Sequence, residues 1–137
     1  MSILKVTGAV LGCFVIGACV PKASPPPSGH ALYQGFCQSC HGDQGKGDGP
    51  LAGDLAKKPA DLTKISARNG DVFPVVRVMS VIDGYTRKND HGSIMPEMGA
   101  LLEDGPMVLV DTGDGIDTPV PAQLYALSEY LRSIQTR

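Results

Sequence analysis

Apolar residues run almost unbroken over 6–16 and stop at Gly17-Ala18-Cys19. Residues 20–28 are a Pro/Ser run with nothing to bury, the composition of an extended, semi-rigid tether. Periodic patterning begins only after it. Ser28 stands as an N-cap ahead of Gly29–Phe36, which reads as a first helix running into Cys37. A second apolar run follows over 75–82. Near the end, Leu124, Leu127, Leu131 and Ile134 recur at spacings of 3, 4 and 3, the stripe of a core-facing helix opened by Pro121. Between Leu102 and Pro121 the period changes. Met107–Asp111 reads as a short strand, 112–115 as a turn and 116–120 as a return strand, a hairpin inserted before the last helix. The expected architecture is all-α: one small helical domain over 28–137, with that hairpin as its insertion.

Residues 1–18 have the form of a secretory signal peptide, with a lone Lys5, an apolar stretch of roughly 11 residues and small residues at its end. The stretch is too short to cross a bilayer, which takes about 20 apolar residues. Small residues directly before Cys19 have the form of a bacterial lipobox. Cys19 is therefore expected to carry lipid, and 19–27 to tether the domain to a membrane on the periplasmic side. Cys13 fits that motif less well, because Leu11 stands where a small residue is preferred. Twelve Lys and Arg against 14 Asp and Glu give a formal charge of −2. Nucleic acid selects for a strong positive excess, so it is excluded as a partner. A chain 42% hydrophobic and 19% charged is not a disordered polyelectrolyte either. Aromatics make up only 5%, without Trp, beside 17 Gly and 11 Pro. Aromatic side chains normally carry much of a small core's buried area, so something besides polypeptide is expected to fill the middle.

Cys37-Gln38-Ser39-Cys40-His41 supplies a candidate for that filling. C-x-x-C-H is the spacing of covalent c-type haem attachment. Two thiols three residues apart on a helical turn reach the two vinyl groups of one haem, and the adjacent imidazole meets the iron. Three other chemistries fit less well. A thioredoxin-type C-x-x-C follows a hydrophobic strand, whereas the residues before Cys37 read as helix. Zinc needs four converging ligands, and no second C-x-x-C or H-x3-H pair is present. A disulfide across two residues is strained and leaves His41 unexplained. The glycine-rich run from Gly42 to Pro50 is not a G-x4-G-K-[ST] phosphate loop, and no strand leads into it. Asp111, Asp114 and Asp117 lack the D-x-D-x-D spacing of a calcium loop and read as a solvated acidic turn.

Gly29, Tyr33, Cys37-x-x-Cys40-His41, Leu127 and Tyr130 together resemble the class I c-type cytochromes, bacterial monohaem members in particular, over 29–134. Residues 42–50 and 58–63 are similar to loops of that family. The resemblance implies a single covalent haem c on Cys37 and Cys40, with His41 as one axial iron ligand. It also implies a close crossing of Gly29 in the first helix against Tyr130 in the last. In the family a Pro carbonyl after the haem helix accepts the proton on the other nitrogen of the ligating His, a role that falls here to Pro50. The sixth ligand is usually a Met in a loop before the last helix, often followed by Pro, and Met95-Pro96 matches. Pro96 restricts the backbone and biases Met95 towards an extended conformation. Met98 is the second candidate and His91 the third. Met79 is assigned to the core against the haem edge and His30 to solvent.

A thioether ligand favours ferrous iron relative to a second imidazole, and two protein ligands leave no open site for oxygen or substrate. The expected role is one-electron transfer rather than catalysis, with no small-molecule substrate. The expected partners are redox proteins, such as a membrane oxidoreductase, an oxidase or a dehydrogenase. A haem relay subunit of a larger oxidoreductase and a haem-based redox or gas sensor are the alternatives. A stoichiometric partner separates the first, and carbon monoxide binding to the reduced protein separates the second. The low net charge argues against a strongly basic docking face, so partner capture is expected to depend little on ionic strength.

Overall fold

The computed structural model describes residues 25–87 and 94–137. The signal peptide, Cys19 and His91 lie outside the described residues. Residues 25–28 are exposed coil. Ser28 then caps α1 (Gly29–Phe36), its Oγ accepting from Ala31 N at 3.2 Å. The chain turns at Cys37 and continues as α2 (Gln38–His41). α3 (Val75–Asp83), α4 (Gly99–Leu102) and α5 (Ala122–Ser133) complete the helices of the described residues, with short 3-10 turns at Ala52–Asp54, Leu62–Lys64, Ala67–Asn69 and Tyr85–Arg87. No helix among the described residues is long and apolar enough to cross a membrane.

The expected hairpin is present. β1 (Met107–Asp111) pairs antiparallel with β2 (Asp117–Pro121), with Met107 opposite Pro121 and Asp111 opposite Asp117. The return strand starts one residue later than the pattern indicates and reaches Pro121. The described residues thus form helices plus a small two-stranded antiparallel sheet, the hairpin being the insertion expected in the helical domain.

α5 organises the molecule. Its buried residues Leu124, Leu127 and Leu131 follow the expected stripe, Ser128 is buried beside them, and α1 and α3 lie against it. Ile134, the last residue of that stripe, is the half-buried C-cap of the helix. Burying one such Leu contributes about 2 kcal/mol. α1 can approach only because position 29 is glycine. A Cβ there would overlap the Ala126 carbonyl and stand 2.9 Å from Tyr130 Cβ. Among the described residues the buried hydrophobic core holds a single aromatic, Tyr33, fully enclosed with its hydroxyl donating to Gly42 O at 2.5 Å. Burial holds that phenol protonated, its pKa far above the ordinary value. His30 is exposed, as expected, and lies 5.1 Å from the Tyr130 ring, centroid to centroid.

Candidate functional site

Cys37 N bonds Tyr33 O at 2.8 Å and His41 N bonds Cys37 O at 2.9 Å, so the helical path continues through the bend between α1 and α2. Cys37 and His41 are four residues apart and therefore share a face. Both border a cavity of about 440 Å³. Leu62 and Ile65 form part of its wall, with Val78 and Ile82 from α3, Leu131 from α5, and Met95. Arg68, Asn69 and Arg77 are exposed and border the same space, which places the charge at its mouth. The volume lies within the roughly 300–1,000 Å³ of sites that enclose a small molecule. Cys40 is half-buried on α2 and does not border the cavity.

The loop after α2 folds back onto the helix end. Gly47 N donates to His41 O at 2.8 Å, Gly49 N to Cys40 O at 3.2 Å and Leu51 N to Ser39 O at 2.9 Å, satisfying carbonyls that a helix terminus leaves unpaired. Gly47 has φ +73°, and a Cβ there would overlap the Pro59 carbonyl. The glycines therefore serve close approach between chain segments rather than phosphate binding. That approach brings Ala60 to His41, whose Nδ1 donates to Ala60 O at 3.0 Å. A carbonyl can only accept, so Nδ1 carries the proton and Nε2 keeps its lone pair. Burial lowers the imidazole pKa and the Ala60 carbonyl partly opposes it, which leaves His41 neutral at pH 7 and fit to ligate a metal.

The role expected for Pro50 thus falls to Ala60. Pro50 is exposed and borders a separate polar pocket with Gln38, Asp43 and Asp48. Nothing in the local sequence marks Ala60, because a backbone carbonyl carries no residue signature and the contact spans 19 positions. Sequence reading also missed Arg68 and Arg77 at the mouth, and Gln135. The Gln135 amide accepts from Ser66 N at 2.9 Å and donates to Leu62 O at 2.8 Å and Leu131 O at 2.6 Å, clasping the Leu62–Ile65 wall to α5.

Cys37 does not have the character of a redox-enzyme thiol. Burial, followed by the charge of Cys40, pushes Cys37 up to about 11, so it is a thiol at neutral pH. A nucleophilic C-x-x-C needs the opposite shift. Met95 is half-buried on the cavity, whereas Met98 and Met79 are core residues that do not border it.

A model of the family "Cytochrome C oxidase, cbb3-type, subunit III" matches residues 24–105. The chain belongs to this family. As a cbb3-type subunit III family member it is a c-type cytochrome, a protein of haem-based electron transfer with covalently bound haem c. No curated protein and no solved structure gave a match. The family match covers α1–α4 and ends before β1, so the hairpin and α5 lie beyond it. The residues on hand fit the family's haem: an apolar cavity bordered by a protonated thiol, a neutral imidazole with one nitrogen free, and a thioether.

Proposed function

We propose that this cytochrome carries one electron at a time through a single haem c, joined by thioethers to Cys37 and Cys40 and ligated by His41 and Met95. The observation that carries the reading is the meeting of Cys37, His41 and Met95 on one apolar cavity. Haem bound there supplies a one-electron iron couple. The chain's own residues do the rest. The Ala60 carbonyl fixes the tautomer and ring orientation of His41 and raises its basicity as a ligand. Leu62, Ile65, Val78 and Leu131 exclude water, which disfavours the more highly charged state of the iron site. Arg68 and Arg77 are the cations at the cavity mouth available to the carboxylates of the haem. Met95 is favoured over Met98 because Met98 is enclosed in the core away from the cavity.

The signal-peptide pattern over 1–18 and the typical location of cytochrome c domains support export to the periplasmic side, with lipid on Cys19 and 19–27 as tether. The family's name favours a second form of the same role: a haem relay subunit that passes electrons within an oxidase assembly rather than a free shuttle.

Absorption spectra of the protein matured with c-type haem machinery test this reading. A low-spin spectrum with a weak sulfur-to-iron charge-transfer band in the oxidised form is expected. Met95→Ala should abolish the band while Met98→Ala leaves it intact, and the reverse pattern moves the ligand to Met98. A high-spin wild-type spectrum that shifts on adding carbon monoxide would replace the carrier by a sensor. Cys19→Ala is expected to release the protein from membranes. Unchanged membrane binding would defeat the lipid anchor.

A further inference from the structure

We propose that the outer face of the β1–β2 hairpin is a docking surface for a protein partner whose own contact face is apolar and rimmed by Lys or Arg. The inner face packs: Val110 and Val120 are 8% and 7% exposed. The outer face is built of the alternate residues, and register pairs Met107 with Pro121, Leu109 with Pro119 and Asp111 with Asp117. Met107 and Leu109 are 55% and 67% exposed, and Pro119 is exposed beside them. Ile116, next to the tip, is 65% exposed. Apolar side chains gathered on one outer sheet face are what an interaction site looks like, whereas single ones are ordinary surface. No hairpin residue borders the cavity, so this face does not serve as its cover.

Charge identifies the occupant. Residues 94–131 contain seven Asp and Glu and no Lys, Arg or His, whereas residues 25–87 are almost balanced, with seven Lys and Arg against six Asp and Glu. The small net charge of the whole chain therefore conceals an acidic segment, and the weak salt dependence expected from that net charge does not extend to this face. Exposed Glu103 and Asp104 precede the apolar strip, and Asp111, Asp114 and Asp117 close its far end. Asp111 and Asp117 stand directly opposite across the strands, where like charges repel. A cationic partner relieves that repulsion. A second copy of the chain would set the same acidic face against itself, and an anionic lipid surface would repel it. A basic, apolar-faced protein satisfies both halves of the surface.

The test uses the holoprotein labelled with 15N and titrated with an alternating Lys/Val peptide. An alternating Glu/Val peptide and anionic vesicles serve as counter-probes. Amide shifts centred on 107–121 are expected with the Lys/Val peptide alone, weakening at least tenfold between low and high salt. Met107→Ser/Leu109→Ser and Asp111→Asn/Asp114→Asn/Asp117→Asn should each weaken binding at least tenfold. All five side chains are exposed, and Asn keeps the Oδ1 acceptor with which Asp111 holds Gly113 N and Gly115 N and Asp114 holds Ile116 N, so both variants should keep the wild-type melting curve. Loss of binding in the Asn variant but not in the Ser variant would reduce the effect to bare charge attraction and overturn the proposal. Shifts at the cavity rim, equal response to the counter-probes, or concentration-dependent dimerisation through the hairpin would overturn it too. None of these readouts needs electron transfer, so failure here leaves the carrier reading standing.

Discussion

The α1–α2 segment and the β1–β2 hairpin both lean on α5, but they are held by different means. α1 enters by a glycine contact that tolerates no side chain, and it buries Leu32 and Tyr33. The carbonyls at the end of α2 are taken up by the loop that follows, and His41 is tied to Ala60 on a separate segment. The hairpin buries one residue per strand, and its register comes from the backbone ladder. Its base is fastened by Ala122 N on Pro106 O at 3.0 Å and Gln123 Nε2 on Asp104 O at 2.7 Å. Around the cavity residues Cys37 and His41, the chain is constrained from several sides at once. Where a surface is merely presented, one buried face is enough.

Substitutions can break that contrast, beginning with the support common to both regions. Leu127 is fully enclosed, and Leu127→Ala should cost about 3 kcal/mol in denaturant unfolding, through lost burial plus the cavity left behind. A cost below about 1 kcal/mol would mean that α5 is not the common support. Gly29→Val comes next, at about 2 kcal/mol, because the new side chain must push α1 off the Ala126 carbonyl. If thermal melting of this variant matches wild type, the close crossing is not required.

Asp61→Ala should cost about 1 kcal/mol, since the Asp61 carboxylate caps the turn at Leu62–Lys64 by accepting from Thr63 N at 2.9 Å and Thr63 Oγ1 at 2.7 Å. The Thr63 hydroxyl bond is the main cause holding the Asp61 pKa below its ordinary value, 3.8. A depressed carboxylate pKa stabilises the fold above the unfolded value and loses that contribution as pH falls through the folded one. The gap between Asp61→Ala and wild type should therefore be full at pH 6 and close below about pH 4. A gap that stays constant through acid would remove the carboxylate from the explanation. The smallest effect belongs to the hairpin's outer face, where Met107→Ser/Leu109→Ser should change stability by no more than about 0.5 kcal/mol. A larger loss would show that this face is packed rather than presented.

Local features were legible from the chain. The C-x-x-C-H run, the Ser28 cap, the stripe on α5 and the hairpin depend on residues within a turn or two of one another. The close approach of Gly29 to Tyr130 was legible through family resemblance, and the geometry repeats it. The site was read less completely. Its thiols and imidazole announce themselves by type and spacing, but the carbonyl that holds His41 does not.

The sequence by itself determined the cysteine–histidine motif, the helix that carries it and the insertion of a two-stranded element, because each is written in short-range order. Only the tertiary structure decided that Ala60 rather than Pro50 faces His41. That choice follows from the glycine loop closing on Pro59, a contact between segments that no local pattern encodes. It also decided that Met95 borders the cavity while Met98 joins the core, two residues of one type three positions apart that only their surroundings distinguish. The same holds for the hairpin. Its strands were readable, but whether they cover the cavity or face outward depends on how α5 supports them, and that is settled by long-range burial.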